Sequence, residues 1–204
     1  MALERPVPPD RFRLEASEGM RRSSGKVLGL ETAGGTPPVL TDPHEVFTMD
    51  RSDLIAGAGL DKAEEKGWRY LSGQQGTMGG AASTPTVVAE VAVKNGVPSF
   101  TNRQEGWLAK RTRETMDLAA KLPEVNAGSY EMRMLRIPSV YNTDAIWLKN
   151  KANGGDLVIP IASRSPQFVP DKTYQAADFL NIARELAKES SFDNSPRSQL
   201  RSEA

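Results

Sequence analysis

Two acids in this sequence stand in unusual company. Glu90 falls within VVAEVAV and Asp144 within YNTDAIWL, runs otherwise dominated by apolar and β-forming residues. A carboxyl group held in apolar surroundings has its pKa raised, and two that face each other across a cleft can serve as acid and base. The pair therefore points to carboxylate hydrolase or lyase chemistry. His44, the one imidazole of the chain, stands in Asp42-Pro43-His44-Glu45, where it could orient a base or hold a weakly bound metal. The plainer reading puts both acids on a wetted sheet face and His44 at the surface end of a strand. Any Ser–His nucleophile would have to use His44, and no serine sits in a G-x-S-x-G context.

Two further constellations carry possible binding chemistry. The Gly-rich stretch over residues 72–85, SGQQGTMGGAASTP, is long for an ordered loop and invites a phosphate reading, because backbone N–H groups in such loops cradle anions. It lacks the G-x-x-x-x-G-K-[ST] spacing and leads into a strand rather than a helix, so no helix N-terminus would meet the ligand. Arg103, Lys110, Arg111 and Arg113 gather near Trp107, and basic residues interleaved with an aromatic can grip single-stranded nucleic acid. Glu105, Glu114 and Asp117 dilute that charge, which fits the wet face of a helix. Trp107, Trp147, Met132 and Met134 are the large, adaptable side chains that would anchor a partner if they were left exposed.

Composition narrows the choices. The chain has 204 residues, 26 basic and 26 acidic, so no global field favours nucleic acid or an anionic membrane. It contains no cysteine, which excludes disulfides and thiolate-bound zinc or iron–sulfur clusters. A single histidine excludes a site built on two imidazoles. No metal site and no cofactor is expected. No apolar run approaches the roughly 20 residues that span a bilayer, and the first residues lack a secretory hydrophobic core. The expected location is the cytoplasm, with a dedicated non-Sec export route left open.

The elements that must position these residues follow from pattern. Residues 1–43 are broken by Pro6, Pro8, Pro9, Gly34, Gly35, Pro37 and Pro38 and read as a disordered arm. Glu45 to Met49 reads as a strand, followed by a short helix with Asp50 as N-cap and Leu54, Ile55 and Ala58 on its apolar side. Trp68 to Leu71 reads as the next strand. Val87 to Lys94 alternates with period two and meets Asn95-Gly96, the strongest short hairpin signal, so Val97 to Thr101 is the return strand. Glu105 to Leu122 is an amphipathic helix that stops before Pro123. Tyr130 to Ala162 forms three apolar runs divided by Pro138 and by Asn153-Gly154-Gly155, an antiparallel meander. Tyr130, Met132 and Met134 face one way along its first strand; Glu131, Arg133, Leu135 and Ile137 face the other. Tyr174 to Lys188 is a helix with the stripe Phe179, Ile182, Ala183, Leu186. Residues 190–204 read as a polar tail.

The expected fold is α+β: a mainly antiparallel sheet of hairpins in the order β-α-β-β-β-α-β-β-β-α, with helices on one face, forming one domain over residues 44–189 between disordered arms 1–43 and 190–204. With no complete chemical constellation, the sequence leans away from an enzyme. The leading expectation is a non-enzymatic protein-binding or assembly module, with a protein partner and no membrane. The alternative is a carboxylate hydrolase or lyase using Glu90, Asp144 and His44 in a pocket under the loop 72–85. The weakest is single-stranded nucleic-acid binding through residues 103–113, which the charge balance disfavours.

Overall fold

The computed structural model describes residues 3–28, 39–73, 87–152 and 154–189. Within them lie strands β1 (Val39–Thr48), β2 (Glu64–Gly73), β3 (Val87–Lys94), β4 (Val97–Glu105), β5 (Tyr130–Ile137), β6 (Thr143–Asn150), β7 (Leu157–Ala162) and β8 (Tyr174–Gln175). The helices are α1 (Asp10–Leu28), α2 (Arg51–Ile55), α3 (Trp107–Ala119), α4 (Pro123–Ala127) and α5 (Ala176–Glu189). All the strands join one mixed sheet in the order β4-β3-β2-β1-β5-β6-β7-β8. The protein is α+β with a mostly antiparallel sheet; the exception among these strand pairings is β1 with β5, which is parallel.

Two meanders thus meet at the centre. The first runs outward from β1 through β2 and β3 to β4, and the second outward from β5 through β6 and β7 to β8. Helix α3 belongs to the long crossover that lets β5 return parallel to β1. The seam is short: its register holds only Val46 with Met134, Phe47 with Leu135, and Thr48 with Arg136.

Local chemistry explains the hairpins. Asn95 and Gly96 both have positive φ, 52° and 78°, as the tightest hairpin turn requires, and Lys94 lies opposite Val97. At the β6–β7 reversal the Asp156 carboxylate accepts the Asn150 N–H and the Trp147 indole N–H, each at 2.8 Å. Gly67 has φ of 144°, and a Cβ there would fall 2.1 Å from the Val91 carbonyl oxygen, so only glycine lets β2 and β3 approach at that point.

Helices cover both faces of the sheet, not one. The alternation along β5 and β6 shows why. Met132, Met134, Ile146 and Leu148 pack with Ala109, Met116 and Ala119 of α3. Leu135, Ile137, Ala145 and Trp147 pack with Leu54 of α2 and with Phe179, Ala183 and Leu186 of α5. Both sets of alternate residues are apolar, so neither face can be left wet.

The composition of residues 1–43 predicts no ordered element, yet α1 and the first residues of β1 lie there. Helix α1 has a narrow apolar stripe, Phe12, Ala16 and Met20, which packs on Trp68, Tyr70, Ala89 and Val91. Leu14 lies off this stripe and is exposed. A stripe of three residues is too thin to register in a polar segment; burial against an apolar sheet face makes the helix stable. At the other end of the chain, Tyr174 and Gln175 pair with β7 instead of opening the last helix, which starts at Ala176. The tail 190–204, Asn153 and most of the stretch 72–85 lie outside the described residues.

Candidate functional site

The face that carries α3 also carries an ionic group at the seam. Arg69 on β2 lies opposite Glu90 on β3, and Arg136 on β5 lies opposite Asp144 on β6. These are two cross-strand ion pairs, one from each meander, and they interlock across β1. Arg69 donates from Nε to Glu90 Oε1 at 2.6 Å and reaches Asp144 Oδ2 with Nη2 at 3.5 Å. Arg136 donates from Nη1 to Glu90 Oε2 at 2.9 Å, and its Nε lies 3.4 Å from Asp144 Oδ1. Arg69 also contacts the Met134 thioether at 3.6 Å. Arg69 is fully buried; Glu90 is nearly so, and Asp144 and Arg136 reach the surface in part.

His44 lies opposite Arg69 on β1. Its Nδ1 is 2.8 Å from the Asp42 carbonyl, and its Nε2 is buried with no hydrogen-bond partner among the described residues. The strand bulges just before it, where Asp42 adopts a left-handed φ of 48° ahead of Pro43. The Asp42 carboxylate is held by Arg5 and by Arg113 of α3.

The electrostatics follow from this geometry. Burial drives the His44 pKa down to about 3, and the Arg69 guanidinium pushes the same way, so the imidazole is neutral at ordinary pH. Burial by itself would raise the Glu90 pKa, but Arg69 and Arg136 outweigh it and hold the carboxyl below its usual range. Burial works to lower the Arg136 pKa, and Glu90 and Asp144 raise it further than burial lowers it. Two cations and two anions cancel. Both carboxylates are met by guanidinium groups, and for Glu90 the depressed pKa is the opposite of the raised one that acid–base work requires.

The sequence singles out Glu90, Asp144 and His44, and the fold brings them into one neighbourhood. The residues that join them, Arg69 and Arg136, escape a sequence reading. Each is a charged residue inside a strand, Arg69 between Trp68 and Tyr70 and Arg136 between Leu135 and Ile137; that placement was the available signal. Of the four expected binding residues, Met132, Met134 and Trp147 belong to the core and present no surface to a partner, because β5 and β6 are central strands covered on both faces. Trp107 differs: it opens α3 after Gly106 and is 64% exposed.

In the basic segment Arg103 pairs with Glu105, Arg111 with Glu114 and Asp171, and Arg113 with Asp42 and Asp117. Among the described residues no group of three His, Asp or Glu side chains is placed to hold a metal ion. No helix there is long and apolar enough to cross a membrane. No family model, no curated protein and no solved structure matches this chain.

Proposed function

We propose that this chain is a non-enzymatic protein-binding module that engages its partner through Trp107. The observation that supports the reading is a contrast in how side chains are used. The ionisable groups best placed for chemistry are spent on each other at the seam, whereas a tryptophan stands nearly two-thirds exposed on the first turn of α3. Exposed tryptophans are the residues that most often carry interface energy, since a large flat ring loses little entropy when it docks. A protein partner and a cytoplasmic location belong to the same proposal.

Retention of partners from native lysate tests it, with the full chain as bait beside a Trp107→Ala variant of equal thermal stability. A partner held by the first and lost by the second is the expected result. Equal retention by both, or nothing above background with either, removes the basis of the proposal.

A further inference from the structure

A recess of about 280 Å³ lies on the side of the sheet away from α3, between the N-terminal segment, α1, the start of β1 and Tyr70 of β2. Its walls are mainly apolar, with Pro6, Val7, Pro8 and Leu40 among them. Neither Glu90, Asp144, His44 nor Trp107 lines it.

Arg5, Thr41 and Asp42 also line it, and two further polar features, Tyr70 and Arg13, stand without a hydrogen-bond or ion-pair partner among the described residues. The Tyr70 hydroxyl is buried and has no hydrogen-bond partner among the described residues, although the residue is 1% exposed. A buried hydroxyl without a partner costs about 1–3 kcal/mol, so such a group marks a place where something is missing. Arg13 also lines the recess, and its charge acts on the Tyr70 phenol. Arg13 makes no ion pair among the described residues, whereas Arg5 is bound to Asp42. Arg5, Arg13 and Asp42 together give the lining a net charge of one positive. Burial pushes the Tyr70 pKa well above that of a free phenol, so the hydroxyl stays protonated and able to donate.

We infer that this recess binds a small monocarboxylate with an apolar body, its carboxylate between Arg13 and the Tyr70 hydroxyl and its body against Val7 and Leu40. One free cation suits one negative charge. A phosphate dianion would bring a second charge with no counterpart, and its hydration would be lost against proline and aliphatic walls. The volume lies at the small end of ligand pockets and suits a single ring with a short acid arm. The site is separate from the Trp107 surface and stands whether or not that surface binds a protein.

Calorimetric titration of the full chain with phenylacetate tests the inference, with benzyl alcohol as the neutral analogue and inorganic phosphate as the bare anion. Saturable binding is expected for phenylacetate, with the alcohol and phosphate each weaker by about tenfold or more. Arg13 is exposed, so Arg13→Ala leaves the fold intact and weakens phenylacetate by about tenfold. Tyr70→Phe keeps the packed ring and weakens it severalfold, whereas Trp107→Ala changes nothing. No saturation by about 10 mM phenylacetate overturns the inference, because that is too weak for a charge-assisted site. Unchanged affinity in Arg13→Ala, or equal binding of the alcohol or of phosphate, overturns it as well.

Discussion

The guanidinium of Arg69 on β2 lies 3.5 Å from the carboxylate of Asp144 on β6, reaching across both strands of the parallel seam. Arg136 makes the reciprocal link to Glu90 on β3. The two meanders are thus tied by four charges at the junction where their backbones share only three register pairs. On the opposite face Arg133 does a similar job: its guanidinium lies 3.6 Å from Glu45 of β1 and sits over the rings of Phe47 and Trp147. Replacing a buried charge network by apolar residues is often harmless, but removing one member leaves a charge stranded.

That asymmetry gives the first prediction. Glu90→Gln leaves Arg69 and Arg136 with Asp144 as their one shared carboxylate in the group, and should cost about 3–5 kcal/mol in urea unfolding. Arg69→Met combined with Glu90→Leu keeps the charges balanced, because Arg136 and Asp144 still pair. The double variant should lose less than the two single losses added together, by about 1–3 kcal/mol. Simple additivity would show that the group does not act as a unit.

Acid should unfold the protein partly through His44. Its folded pKa of about 3 lies below the ordinary value of 6.5, so beneath pH 6.5 the unfolded chain takes a proton that the folded chain refuses. Stability therefore falls with pH by up to about 1.4 kcal/mol per unit in that window. Glu90 acts in the same direction but only below its ordinary 4.5, because its folded pKa is depressed. Glu45, whose pKa burial raises, works the other way just above 4.5. Comparing melting temperatures of the native chain and His44→Gln from pH 6.5 to 5 isolates the histidine. Parallel profiles would end this account.

Gly19 decides whether α1 is docked. A Cβ at that position would lie 2.1 Å from Cγ of the Phe100 ring and 2.5 Å from its Cβ, atoms that cannot swing aside. In a free helix, alanine for glycine is worth about 1 kcal/mol of stabilisation. In the docked helix Gly19→Ala should destabilise instead, and should loosen the Phe12 contact with Trp68, whose ring centroids lie 6.5 Å apart. Urea midpoints and tryptophan emission read the sign directly. A gain in stability would mean that α1 does not rest on β4.

Trp68 and Trp147 are buried and Trp107 is not. Acrylamide should quench one class of emission quickly, and Trp107→Phe should abolish that class while leaving the unfolding midpoint within about 0.5 kcal/mol of the native value. Fast quenching that survives the substitution would place another tryptophan at the surface.

Asp156 offers the last test. Its carboxylate holds both the Trp147 indole and the Asn150 backbone N–H. Asp156→Ala orphans a largely buried donor and should cost about 1–3 kcal/mol by urea unfolding. A neutral effect would show that this reversal needs no side-chain support.

Several elements were legible from residue types and spacing alone. Asn95-Gly96 dictates its hairpin because few other pairs tolerate two positive φ angles. The alternation of Met132 and Met134 with Leu135 and Ile137 sorts β5 into two faces because successive side chains in a strand point oppositely. The stripe on α5 names its buried side in the same local way. Tertiary structure alone decided the rest. Helix α1 exists because a distant sheet face buries Phe12, Ala16 and Met20, which no window of sequence can register. Glu90 and Asp144 were visible as misplaced charges, but 54 positions separate them along the chain. Whether they became a proton-transfer pair or one half of an ionic tie depended on which residues the parallel seam set between them. It set Arg69 and Arg136 there, and each carboxylate is met by both guanidinium groups.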